Sequence, residues 1–311
     1  MTRALKSEFY DEFKNGCFTP LVDLLKVKKG KYRSRFMMNL RGNRVIVYYK
    51  GVVAVTIYNK TKQNKFYGLE VQKMYETGDS SGYRKFYKSE QELSIFPWEQ
   101  FLSNIADGID AYDKKDNSEK EVQQRIWYEN NVARNANSTD YFIVDTEYKD
   151  KNGGRFDLIA FYWPAGENKQ GHKEKPKKIS VIELKFGDNA VGGSSNEQTA
   201  TLSTHLQDFK NFGFSDDFLK DMTRVFFQLY DLGLINIKFG KKVKGVENLI
   251  SSTDVKQMMF ILANYNQKSN NLANQLNKMK KQTLPDDREI VFANSSFMGY
   301  GLYDVGMKQD L

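Results

Sequence analysis

The chain has 311 residues, 40% hydrophobic and 14% aromatic, with 47 Lys and Arg against 39 Asp and Glu for a formal net charge of +8. Those proportions exclude a disordered or fibrous chain and allow one or two globular domains. One cysteine (Cys17) and two histidines (His172 and His205) exclude a disulfide scaffold and leave almost no basis for a Cys/His zinc site. No apolar run reaches membrane-spanning length, and the opening MTRALKSEFYDEF lacks the apolar region of a signal peptide, so a cytoplasmic protein is expected.

The charge is uneven. Residues 1–90 carry 19 basic against 8 acidic side chains, and residues 91–311 carry 28 against 31. A positive region of this kind tracks phosphate backbones through counterion release; a solubilising surface is the plainer alternative.

In chain order, a short helix is expected within Lys6–Leu25, interrupted near Gly16 and Pro20. Strands follow at Arg35–Leu40, Arg44–Tyr49 and Val52–Tyr58, separated by the turn signals Arg41-Gly42-Asn43 and Lys50-Gly51. Phe66–Val71 and Tyr83–Tyr87 continue the sheet. Aromatic residues (Phe36, Tyr48, Tyr49, Tyr58, Phe66, Tyr67) alternate with Lys and Arg; most read as core, and on an exposed sheet the mixture suits base stacking and phosphate contact. Residues 1–114 are therefore read as a β-rich, basic domain for binding a substrate or partner.

Pro97 opens a helix through Trp98–Tyr112, and KKDN at 114–117 marks the domain boundary. A second helix opens at Ser118, with Glu121 three positions on in capping-box spacing. Glu119 shares the face of Val122 and Ile126, and an acid there needs a reason beyond packing; Glu121 and Glu129 are its rivals. Tyr141–Tyr148 is the next strand, and Glu147 near its end is a further carboxylate.

The segment from Arg155 to Gly187 carries the strongest chemical signal. It reads GGRFDLIAFYW, a long polar loop, then ISVIELKFGDN: two strands of a hairpin. Asp157 interrupts the first apolar run. In the second, strand alternation sends Glu183 and Lys185 to one face and Ile182 and Leu184 to the other. If the two strands pair, Asp157 comes close to Glu183, so two carboxylates and an ammonium share a small space. Hard divalent cations take oxygen ligands of this kind, and a lysine beside a metal-bound water can orient it or help take its proton. An exposed amphipathic strand with a surface ion pair is the bland reading of I-E-L-K.

Asp157 on one strand and Glu183-Leu184-Lys185 on the next resemble the PD-(D/E)xK nuclease superfamily, over roughly residues 117 to 240. Phe156 stands where the family name has Pro. The resemblance implies an α/β fold with a restriction endonuclease-like αβββαβ core, a mixed central sheet flanked by helices, within residues 115–311. It implies metal ligation by Asp157, Glu183 and the Leu184 carbonyl, with Mg²⁺ or Mn²⁺ as cofactor. Lys185 would poise the attacking water, and Glu119, in an E-x-E-[apolar] run at Glu119–Val122, would be the helix acid. The implied activity is endonucleolytic phosphodiester hydrolysis, with DNA the expected substrate and the choice between DNA and RNA left open by the sequence, in defence or DNA processing, with a homodimer where two cuts are made. A catalytically silent nucleic-acid-binding or assembly protein on the same fold is the alternative.

Beyond Lys185, the loop GDNAVGGSSNE contains Asp188 and is expected to lack regular structure. Gln198–Phe212 reads as a helix with Leu202, Leu206 and Phe209 inward and with His205 and Gln207 on other faces. Phe218–Tyr230 and Ser269–Lys281 read as helices, Met258–Tyr265 as a strand or a helix start, and Glu289–Phe292 and Phe297–Tyr303 as closing strands.

Overall fold

The turn at Lys50-Gly51 shows how local sequence builds the first sheet. Both residues have positive φ, 50° and 77°, the pairing that type I′ turns use to match the twist of flanking strands. The turn joins Arg44–Tyr49 to Val52–Tyr58 in a two-residue hairpin, with Tyr49 opposite Val52.

The structure is a computed structural model that describes residues 2–27, 35–61, 65–78, 82–112, 118–149, 154–164, 174–187, 201–263, 270–280, 282–295 and 307–308. The elements in chain order are α1 (Ser7–Lys14), α2 (Thr19–Leu25), β1 (Phe36–Leu40), β2 (Arg44–Tyr49), β3 (Val52–Tyr58), β4 (Tyr67–Gln72), α3 (Lys73–Thr77), β5 (Tyr83–Lys88), α4 (Glu90–Ser94), α5 (Trp98–Tyr112) and α6 (Ser118–Asn131). They continue with β6 (Tyr141–Lys149), β7 (Arg155–Tyr162), β8 (Lys178–Phe186), α7 (Leu202–Asn211), α8 (Asp216–Asp231), β9 (Lys256–Ala263), α9 (Asn270–Lys280), β10 (Arg288–Ser295) and β11 (Met307–Lys308). The fold is mixed α/β with two sheets. The strand at Phe297–Tyr303 and the loop around Asp188 fall outside the described residues.

The chain divides into two compact units, residues 1–124 with 224–236, and residues 125–223 with 237–311. This division falls inside α6 at Gln124, and part of α8 returns to the first unit; the KKDN segment at 114–117 lies outside the described residues. A boundary signal such as KKDN marks a break between helices, whereas the change of packing partner occurs within a continuous helix that carries no sequence break.

In the first unit β1 to β5 form an antiparallel meander in sequence order. One face is packed by aromatics at helical spacing: Phe9 and Phe13 of α1 are fully buried, and Phe9 lies on the ring of Tyr67 from β4. Phe18, Trp98 and Phe101 complete this cluster. Phe36, Tyr48, Tyr49 and Tyr67 are buried, Tyr58 is half-buried, and Phe66 is exposed. Helix α4 starts with a full capping box between Ser89 and Glu92, and the backbone and hydroxyl of Ser89 draw the Glu92 carboxyl down to about 2.

In the second unit β6, β7 and β8 run antiparallel in series, and β9 and β10 follow parallel to β8, so β8 lies in the interior of a six-stranded sheet. Every residue of β9 is buried, the near-continuous apolar run expected of a strand covered on both faces. Helix α7 is capped by Thr201, whose hydroxyl accepts from the Thr204 amide.

Gly51 also meets the start of α6. Its amide donates to Gln124 Oε1 at 2.6 Å, and a Cβ there would lie 2.4 Å from the Lys120 carbonyl carbon. Gly51→Ala therefore adds a clash to the left-handed penalty of roughly 1–2 kcal/mol, and is expected to lower stability by more than about 2 kcal/mol. Urea unfolding of the intact chain measures this, and an unchanged midpoint would contradict the described contact.

Candidate functional site

The expected β7–β8 hairpin is formed, with Leu158 opposite Ile182 and Tyr162 opposite Lys178. One further step in that register sets Asp157 across from Glu183, on the same face of the sheet. Regular pairing stops at Leu158 and Ile182. Beyond it the Leu184 amide donates to Asp157 Oδ2 at 2.7 Å. A strand residue's N–H and C=O face the same side, so the Leu184 carbonyl also faces the β7 side where Asp157 stands.

The I-E-L-K run alternates as the sequence requires, but neither face is exposed. Ile182 and Leu184 are fully buried, while Glu183 and Lys185 are only 4% and 9% exposed. This removes the bland reading of an exposed amphipathic strand. Glu183 Oε1 takes Lys185 Nζ at 2.7 Å and lies 2.9 Å from His205 Nε2 of α7. Lys185 Nζ and His205 Nε2 are 3.3 Å apart. One anion thus faces an ammonium and an imidazole inside the sheet-helix layer.

His205 is buried, not on an outer face of α7 as its polarity led the sequence reading to expect. It sits three residues after Leu202 and four before Phe209, both fully buried, so helical spacing places it on the inward stripe. That spacing from Leu202 and Phe209 is the sequence signal for its burial. His205 Nδ1 is buried with no hydrogen-bond partner among the described residues. The network therefore assigns the tautomer with hydrogen on Nε2, donated to the Glu183 carboxylate as a charge-assisted bond. Gln207 is exposed and bonds Asn211 along the helix.

Glu147 on β6 falls between the pairs Thr146–Leu158 and Tyr148–Phe156, which puts it beside Asp157 in the ladder. It is exposed, and its φ of 52° is one of two positive values among described non-glycine residues. The other, Lys50, belongs to the hairpin turn. Glu119 is half-buried in the first turn of α6, where Val122 and Ile126 are buried. It belongs to the first unit, as does Glu121, whereas Asp157, Glu183, Lys185, His205 and the half-buried Glu129 belong to the second. The site is built here from second-unit residues alone.

Asp157, Glu183 and the Leu184 carbonyl offer hard oxygen donors of the type that suits Mg²⁺ or Mn²⁺. Among the described residues, no three His, Cys, Asp or Glu side chains are gathered as a ready cation cage. Asp157 is held by the Leu184 amide, and Glu183 by Lys185 and His205. Comparisons with protein families, with curated proteins and with solved structures found no match to the chain.

The Glu183–Lys185 pair has side-chain exposures of 5% and 11%, in the range where removing one partner leaves a buried charge and costs about 3–5 kcal/mol. Lys185→Met is therefore expected to destabilise strongly, and the double change Glu183→Gln with Lys185→Met to recover at least half of the loss. Denaturant unfolding of the single and double variants tests the coupling; additive effects would show that the two charges do not share a buried environment.

Proposed function

We propose that the chain is a metal-dependent nuclease, an endonuclease on DNA, with a restriction endonuclease-like core in its second unit. The observation that carries this reading is the Leu184 amide held by Asp157 Oδ2 at 2.7 Å, one step beyond the Leu158–Ile182 pair, with Glu183 and Lys185 buried on either side of Leu184. The order α6, β6, β7, β8, α7, with β9 returning parallel to β8, supports the αβββαβ core. The excess of basic residues in positions 1–90 supports a polyanionic substrate.

Asp157, Glu183 and the Leu184 carbonyl are the residues that would hold Mg²⁺ or Mn²⁺. A bound divalent cation supplies charge neutralisation at a phosphoryl oxygen and a water of lowered pKa. Lys185 is placed by strand alternation beside Glu183, where its ammonium can orient an attacking water or hold its proton. His205 directs its Nε2–H at Glu183 Oε1, which fixes the orientation of that carboxylate. The Leu184 amide does the same for Asp157.

A second reading, a catalytically silent nucleic-acid-binding protein on this fold, is favoured by one observation. The buried ammonium and imidazole already satisfy Glu183 without a cation.

Plasmid and single-stranded DNA incubated with the full chain in Mg²⁺ or Mn²⁺ separate the two readings. Cleavage is expected with wild type, with a loss on the order of 10²–10⁴-fold in Lys185→Ala and at least as large a loss in Asp157→Ala. His205→Ala is expected to lower the rate less than either, because Lys185 still engages Glu183. Nicking that persists unchanged in the Asp157 and Lys185 variants would remove the nuclease mechanism. Salt-dependent binding without cleavage under either cation would establish the silent reading.

A further inference from the structure

The first unit contains a surface that the metal chemistry does not use. Strand β5 is the edge of the five-stranded sheet. By alternation Tyr83, Lys85 and Tyr87 project from one face, while Arg84, Phe86 and Lys88 project from the other. The second face is covered: Phe86 packs on Phe96 and Phe101, Arg84 pairs with Glu76, and Lys88 pairs with Glu92. The first face is open at this edge, with Tyr83 65% and Tyr87 51% exposed.

Lys85 differs from the other two cations of its strand. Among the described residues it makes no ion pair. Its ammonium stands 3.9 Å from the centre of the Tyr58 ring and 5.9 Å from that of Tyr87. Gly68 makes this possible. It lies in register between Tyr58 of β3 and Tyr87 of β5, and a Cβ there would sit 3.0 Å from Lys85 Cε, 3.4 Å from Tyr87 Cε1 and 3.6 Å from Tyr58 Cβ. The missing side chain leaves a shallow channel across the sheet, and the lysine stem lies flat in it. Glu70 lies opposite Lys85 in the ladder and accepts from the Tyr58 hydroxyl at 3.0 Å. The Tyr83–Lys85–Tyr87 row spans about 13 Å along the strand, with a ring, a cation and a ring in sequence.

We propose that this open β5 edge of the sheet face binds single-stranded nucleic acid, with bases stacked on Tyr83 and Tyr87 and a phosphate held by Lys85. Exposed rings that alternate with a cation are the elements of a stacking platform for unpaired strands. The surplus of positive charge within residues 1–90 is complementary to such a strand. A duplex hides its base faces and gains nothing from the rings. The surface uses none of Asp157, Glu183 and Lys185, and it binds whether or not the chain cleaves.

Fluorescence anisotropy with the full chain, a labelled 15-residue oligothymidylate and EDTA tests this without hydrolysis. Wild type is expected to bind the oligomer more tightly than an abasic strand of equal length and more tightly than duplex. Tyr83→Ala and Tyr87→Ala should each weaken binding between ~5-fold and ~150-fold. Lys85→Gln should reduce the salt slope by about 0.7. Both tyrosines are surface residues, so circular dichroism should show an unchanged fold. EDTA removes any divalent cation and the assay reads binding alone, which keeps this result distinct from the outcome of the cleavage assay. Equal affinity for the abasic strand, or tyrosine variants that bind normally, would overturn the proposal. So would preference for duplex, or absence of nucleic-acid binding with a protein partner masking Tyr83 and Tyr87.

Discussion

At the point where β7 and β8 stop exchanging backbone hydrogen bonds, the ladder is continued by a side chain. The Leu184 amide would otherwise be an orphan donor near the centre of a six-stranded sheet, and a buried unpaired N–H costs about as much as a lost hydrogen bond. Asp157 supplies the acceptor. This one bond orients the Asp157 carboxylate toward β8 and leaves the Leu184 carbonyl on the same side. It also ends the pairing at the ladder position where Glu183 faces Asp157. The proposed metal chemistry depends on that opposition, and the opposition depends on the way the ladder ends.

The neighbouring charges are not there for stability. Glu183 and Lys185 occupy positions on the same strand face as Ile179 and Val181, which are fully buried. At an effective dielectric near 20, two charges at about 4 Å attract by about 4 kcal/mol. Removal of each from water costs several kcal/mol. The attraction does not exceed the two desolvation costs, so two further aliphatic side chains would hold the sheet at least as well. The pair and its imidazole neighbour are therefore better understood as chemistry stored in a layer that packing alone would have made apolar.

Much of this was legible in the sequence, and for identifiable reasons. Lys50-Gly51 fixed a hairpin because only one turn class suits its backbone. The β7–β8 hairpin followed from its two apolar runs, and the face shared by Glu183 and Lys185 followed from a period of two. Three features were not legible. The division of the chain was hidden because it falls inside α6, where the helix continues while its packing partners change. His205 was assigned outward by its polarity although its spacing from Leu202 and Phe209 pointed inward; only the acid on β8 explains why an imidazole is tolerated there. The backbone of Glu147 was equally invisible, since nothing in its neighbours announces a left-handed residue near the end of a strand.

Part of the first unit comes from far along the chain. The Leu5 amide donates to the Gln228 side chain at 2.8 Å, whose own amide returns a bond to the Leu5 carbonyl at 2.9 Å, and the Val27 amide is accepted by the Gly233 carbonyl at 2.9 Å. Residues 224–236 are thus a structural part of a unit that begins at the amino terminus. During synthesis the opening segment must wait for some two hundred residues to emerge before these bonds close. An amino-terminal fragment ended at residue 124 would expose the Leu5 and Val27 edge that the later segment covers, so the order of translation and the order of completion differ in this chain.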